Sequence, residues 1–294
     1  MAARKDNARF TAVIPVANES CAIPTTVPLP LSSDISFQKI RGDDLALITE
    51  KDNDAFGKLK GGTYTLTLSG IDPQKFSVNF ATQVSASAFT LNILGSGTPL
   101  SLGKAYIIRS LRKSSLHSSV SNSGHQHGIL NKFEIPKGTD LAVASKLYSA
   151  LMVALKKHPP LGITISRYSS ATGRASADDR LIDLCIALES VFQSQTEISF
   201  QFALYNSILA ETDPKKRLSI FSNLKKLYSE RSNVVHGNKS LDSKWLDEKW
   251  DDLVGITKAS ILRKIEFLNE SDHKRWRGYL QGLALGVPDG KEPD

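Results

Sequence analysis

Cysteine is scarce. Only Cys21 and Cys185 occur in 294 residues, too few for a disulfide framework or a cysteine-built zinc site. Long apolar runs are missing too, and none approaches the roughly 20 residues that span a bilayer. The N-terminus, Met1-Ala-Ala-Arg-Lys-Asp6, leads into no apolar segment of the secretory kind. There is no internal repeat and no low-complexity tract. These absences point to a cytoplasmic protein in a reducing compartment, with no membrane partner. Metal ligands are sparse as well. His117, His125 and His127 share one loop, but no acid or cysteine stands close to them. The loop therefore reads as solvated, and neither a metal nor a cofactor is expected.

What is present is the composition of a folded chain, with 40% apolar and 23% charged residues. The length allows two domains, each able to bury its own core. The net charge of +7 is uneven. Residues 1–170 hold 19 basic and 11 acidic side chains, whereas residues 171–294 hold 18 and 19. A basic half points weakly to an acidic partner such as nucleic acid.

Hydrophobic period divides the chain as charge does. Tyr64-Thr-Leu-Thr-Leu-Ser69 and Phe89-Thr-Leu-Asn-Ile-Leu94 alternate in the manner of strands, and Ala105-Tyr-Ile-Ile108 is a short β-branched run. Gly61-Gly62, Asp72-Pro73, Gly95-Ser-Gly97 and Pro99 separate them. Residues 1–137 thus read as a β-rich domain, a small sandwich or barrel, and Ser114–Gly128 as a loop. Arg109, Arg112 and Lys113, with Tyr106, offer a nucleic-acid patch at a strand end. A connecting helix over Leu141–Lys157 lies within 138–160, capped by Asp140 and stopped by Pro159-Pro160.

From Ala175 the period is helical. Ser176 with Asp179 makes a weak capping box, and Leu181, Leu184, Cys185, Leu188, Val191 and Phe192 form one stripe that should bury Cys185. A second helix covers about Glu197–Leu209. A third is capped by Asp213, starts with Pro214 and stops at Gly237. Its apolar side is expected to hold Leu218, Phe221, Leu224, Leu227, Tyr228 and Val235. A fourth is expected to be capped by Ser243, and a short fifth to lie near His273–Leu285. The fold class is therefore α+β in two domains, with a helical bundle at 161–287 and a tail at 288–294. Trp245, Trp250 and Trp276 read as core or interface residues.

Chemistry concentrates in Tyr228-Ser-Glu-Arg-Ser-Asn-Val-Val-His-Gly237. Arg231 and His236 are five positions apart, which on an ideal helix is about 7.5 Å along the axis and about 140° around it. They converge only if the helix unwinds near Gly237. An imidazole titrates near neutrality and can move a proton during attack on phosphorus. A guanidinium forks two donors onto phosphate oxygens. With RNA the ribose 2′-OH serves as nucleophile, so no metal is required. The same pair is also an ordinary helix end, since cations suit a helix C-terminus.

Three stretches in order resemble the Apea-like HEPN family: Ile165-Ser-Arg-Tyr168, Asp179-Arg-Leu-Ile-Asp-Leu-Cys-Ile-Ala-Leu-Glu-Ser-Val-Phe192, and Leu227–Gly237. The family pattern has an Arg-aromatic pair in a first helix, a helix ending in Ala-Leu-Glu, and Tyr-x-x-Arg-Ser-x-x-Val-His-Gly. The resemblance covers roughly the last 125 residues. It implies a helical bundle that dimerises, bringing two Arg-x4-His motifs into one composite site. It also implies a metal-independent ribonuclease of toxin–antitoxin, abortive-infection or RNA-processing type, with RNA as substrate and an antitoxin or phage-derived trigger as further partner. On that pattern His236 is general acid or base and Arg231 stabilises the phosphate. Ser232 and Asn233 assist. HEPN nucleases often carry Asn, His or Asp where Ser232 stands. Glu189 either orients Arg231 or makes a structural ion pair, Tyr228 supports it, and Arg180 and Arg167 either reach the RNA backbone or pair with nearby acids. Two rivals stand beside this. One is a non-catalytic HEPN interaction module; the other makes the N-terminal domain the sensor and the helical domain an oligomerising device.

Overall fold

The computed structural model describes residues 9–16, 20–22, 28–51, 64–71, 78–97, 105–110, 115–120, 132–174, 176–192, 197–237 and 241–287. The chain forms two compact units, residues 1–149 and 150–294. The first carries sheets and helices and the second is helical, so the class is α+β.

The N-terminal unit contains β1 (Arg9–Pro15), β2 (Ser20–Ala22), β3 (Leu29–Pro30), β4 (Ile35–Lys39), α1 (Gly42–Lys51), β5 (Tyr64–Ile71), α2 (Val78–Leu94), β6 (Ser96–Gly97), β7 (Ala105–Ser110), β8 (Ser115–Val120) and β9 (Lys132–Glu134). The main sheet has the order β3-β4-β5-β1-β7-β8, antiparallel at every pairing. A smaller sheet runs β2-β9-β6, with β2 and β9 parallel. In β1, consecutive Ala12, Val13 and Ile14 are all buried, and in β5 so are Leu66, Thr67 and Leu68. Burial of successive residues means that both faces of the central strands are covered. On one side α1 supplies Ile48 and Leu45 to a cluster with Val13, Ile40, Tyr106 and Ile108.

Three expectations for this half are corrected. Phe89–Leu94 is the end of α2, not a strand. Phe89, Thr90, Leu91 and Asn92 are all buried, so the run has no wet face to reveal a helical period. Its alternation is accidental: Thr90 places its hydroxyl on the Ala86 carbonyl at 2.8 Å inside the helix. Gly95 ends α2 where the Phe133 ring fills the space a Cβ would need. Within the loop expected over Ser114–Gly128, Ser115–Val120 is strand β8, paired with β7; its serines hid a ladder made by the backbone. Tyr106 is fully buried, so it stacks on no base.

Helix α3 (Ala142–Lys157) starts as expected, with Asp140 Oδ1 accepting from Ala142 N at 2.9 Å. It crosses the division between the units, which falls after Ser149. The helical unit continues with α4 (Leu161–Gly173), α5 (Ala177–Phe192), α6 (Ile198–Ala210), α7 (Pro214–His236), α8 (Ser243–Glu270), a 3-10 turn (His273–Arg275) and α9 (Trp276–Ala284). Periodicity gave five helices from Ala175 onward; α4 is a further one, and it carries Arg167 and Tyr168. The long α8 packs against α4, α5 and α6. The core between them is aliphatic, with Leu184, Leu188, Leu224, Leu227, Ile261 and Ile265 among its buried members.

Helix ends follow the sequence closely. Ser176 Oγ accepts from Asp179 N at 3.3 Å, and Asp213 Oδ1 accepts from Lys215 N at 2.9 Å. Gly237 closes α7 in the left-handed region, φ +65°. One end moves: Asp242, not Ser243, caps α8, accepting from Trp245 N at 3.0 Å. The apolar side of α7 is also narrower than expected. Leu224 and Leu227 are buried, but Leu218 is 68% and Val235 50% exposed. Leu218 lies about 120° around the axis from Leu224.

Candidate active site at the end of helix α7

The C-terminal turns of α7 meet α5 through a polar cluster of Tyr228, Arg231 and Glu189. The Arg231 guanidinium lies 5.7 Å from the centroid of the Tyr228 ring, one turn back on the same helix. The Tyr228 hydroxyl donates to the Glu189 carboxylate. Burial pushes Glu189 up from the ordinary carboxylate range, and the Arg231 charge and the Tyr228 bond oppose that shift. Tyr228 is likewise raised by burial and by the neighbouring Glu189 charge. Cys185, one turn before Glu189, is fully buried and strongly raised, mainly by burial. Arg231 Nε is buried and makes no hydrogen bond. A buried donor left unsatisfied costs about 1–3 kcal/mol.

His236 stands elsewhere on the helix. It is exposed in the last turn, and α7 is unbroken up to it. The unwinding that would let both side chains converge does not occur before Gly237. Arg231 therefore turns toward α5 while His236 points away at about 140° around the axis. Ser232 and Asn233 are half-buried between them, and the Val234 carbonyl accepts from Gly237 N at 3.3 Å.

The other arginines are held by acids. Asp183, buried to 2%, takes Arg167 Nη1 on Oδ1 and Arg174 Nε on Oδ2, both at 2.7 Å. Arg180 Nη2 donates to Asp247 at 2.8 Å, and its guanidinium lies 4.9 Å from the Trp250 ring centroid. It sits nine residues before Glu189, about 14 Å along α5, so it is not part of the Arg231 cluster. Trp245 is covered by Lys226 at 4.4 Å. Arg109 lies on β7 opposite Phe10, His117 lies on β8, and Arg112, Lys113, His125 and His127 fall outside the described residues.

One polar group escaped sequence reasoning. Lys264, 1% exposed, donates to the Ser190 and Val191 carbonyls at 3.0 and 2.8 Å. Trp276 Nε1 shares the Val191 carbonyl at 2.7 Å. Lys264 thus satisfies the C-terminal carbonyls of α5, and burial pulls its pKa down to about 7. Buried His158, its ring tilted against that of His273 with centroids 5.0 Å apart, is lowered to about 4 by burial and by the Lys264 and His273 charges. A signal existed: Lys264 falls in the apolar stripe Ile261, Ile265, Leu268 of α8.

Compared with models of known families, with curated proteins and with solved structures, the chain matches none.

Proposed function

We propose that the chain is a metal-independent RNA endonuclease of HEPN type, with a C-terminal Apea-like helical bundle, acting as a homodimer in anti-phage defence or a toxin-like system. The observation that carries this reading is the end of α7. There a guanidinium lies beside the Tyr228 ring and the Glu189 charge and retains an unsatisfied donor, while an imidazole stands exposed on the same helix. Their divergence within one chain favours a composite site built from two facing motifs. Val235, an apolar side chain half exposed beside His236, supports burial of this end against a second copy.

In such a site His236 accepts the proton of a ribose 2′-OH as its oxygen attacks the adjacent phosphorus. Arg231 holds the non-bridging oxygens on which negative charge develops. The bond to the 5′-oxygen breaks, that oxygen takes up the proton His236 had accepted, and a 2′,3′-cyclic phosphate remains. Ser232 and Asn233 offer further hydrogen bonds. General acid–base catalysis of this kind contributes about 10²–10⁴-fold.

The test is incubation with total RNA and tRNA in EDTA, beside Arg231→Ala and His236→Ala proteins of matched helicity. The wild type should cleave, leaving cyclic phosphate ends, and each variant should lose at least about 100-fold. Full cleavage by His236→Ala would sink the assignment. The dimer is checked separately by sedimentation.

A second reading draws on the same geometry. Because Arg231 turns onto Glu189 and Tyr228 of its own chain, the cluster also suits a non-catalytic HEPN module that ties α7 to α5 and binds RNA or a protein. Equal inactivity of all three proteins, with Arg231→Ala alone destabilised, would favour it.

A further inference from the structure

The solvent face of α7 has a composition unlike the rest of the unit. Residues 214–229 hold five basic side chains and no acidic one. The single acid of α7, Glu230, is buried and accepts from Asp242 N at 3.4 Å. The two acids just before the helix are engaged: Glu211 takes the N–H groups of Thr212 and Asp213, and Asp213 caps the helix. Not every cation is available, since Lys226 pairs with Asp242 at 3.2 Å. Lys215 and Lys225 are both exposed.

Those lysines lie within about 80° of one another, on the side that ends at His236. From Lys215 to His236 this side runs about 32 Å. Along its edge stands an aromatic platform. Phe200 of α6 is 48% exposed and braced edge-on by Phe221 of α7, with ring centroids 5.8 Å apart. Leu218, 68% exposed, lies one turn before Phe221. Cations that follow a backbone, beside an exposed ring held rigidly by a second ring, are what single-stranded nucleic acid requires. A surface built only to seat a protein would not need an acid-free stripe.

We infer that this face of α7 is the track for single-stranded RNA: Lys215 and Lys225 take phosphates, Phe200 stacks a base, and the strand is led along the helix toward His236. The inference rests on the RNA reading above and names the strand form and the path.

The test is fluorescence anisotropy in EDTA with a labelled single-stranded 2′-O-methyl oligouridylate, which cannot be cleaved, beside a labelled RNA duplex. Lys215→Glu/Lys225→Glu should weaken the single strand at least tenfold. The wild-type log–log salt slope should exceed that of this variant by roughly 1.4, about 0.7 per phosphate contact on single strands. Phe200→Ala should weaken the single strand roughly tenfold and leave the duplex unchanged. Lys274→Glu/Arg275→Glu, with the same change in charge on the exposed 3-10 turn, should bind as wild type. Wild-type affinity in the Lys215/Lys225 and Phe200 variants would overturn the track. So would a Phe200→Ala/Leu218→Ala protein that dissociates in sedimentation while binding RNA normally, because the face would then seat a second copy.

Failure of the track is separable from failure of the nuclease. Undiminished cleavage by Lys215→Glu/Lys225→Glu, with loss in His236→Ala, removes the track and keeps the enzyme. Weakened binding in the track variants, with no cleavage by any protein, does the reverse.

Discussion

Asp183 shows how burial and partnership set the worth of one side chain. Its carboxylate is buried and takes two arginines, whose side chains are 44% and 36% exposed. Removing it would not strand buried charge, because both guanidinia can rehydrate. Asp183→Ala should therefore cost about 1.5–3 kcal/mol, the range for hydrogen bonds to charged groups, rather than the larger penalty of a broken fully buried pair. Denaturant titration measures this. Lys264 and His158 make a pH prediction. Both bases have lowered pKa values in the folded chain, about 7 and about 4 against ordinary values of 10.5 and 6.5. Between each pair of values the unfolded chain holds a proton that the folded chain has released. Raising the pH strips the unfolded state only, so stability climbs from about pH 4 to 6.5 through His158 and again above about pH 7 through Lys264. Lys264→Met should flatten the upper climb and His158→Leu the lower one. Stability curves at several pH values in which the variants keep the wild-type slopes would refute this.

At the scale of one element, α7 is the helix with most at stake, because it carries Tyr228, Arg231 and His236. Its ends are fixed locally. Gly237 adopts φ +65° with nothing within 4 Å of a built Cβ, so Gly237→Ala pays only in backbone strain, roughly 1–2 kcal/mol. Asp213→Ala at the other end should cost about 1 kcal/mol through loss of the cap. The two substitutions destabilise the same helix yet differ in reach. Gly237 adjoins His236, so its replacement should also lower the proposed RNA cleavage, whereas Asp213→Ala should leave it near wild type. Single-turnover cleavage with both proteins checks the contrast. These ends were legible because capping is a matter of neighbouring residues. The nature of α2 was not, because a helix wrapped in apolar contacts shows no wet face in its sequence.

At the scale of the molecule, each unit has its own buried core. A chain starting at Asp140, which keeps α3 and its cap whole, should fold with strong helical circular dichroism and a single cooperative melt. A broad, non-cooperative melt would show that the sheet-bearing unit is needed. Among the described residues no helix is long and apolar enough to cross a membrane.

By itself the sequence determined the α+β class and the ends of α3 and α7. The strand over Tyr64–Ser69, the Asp213 and Gly237 caps, and burial of Cys185 all rest on interactions a few residues long, and all appear as read. Only the tertiary structure decided which side chains share a space. It set Glu189 on α5 against Tyr228 and Arg231 on α7, put Lys264 on the α5 carbonyls, buried Tyr106, and left Phe200 and Leu218 in the open. Those outcomes depend on which faces of separate helices and strands meet. Hydrophobic period constrains the faces, but not their neighbours.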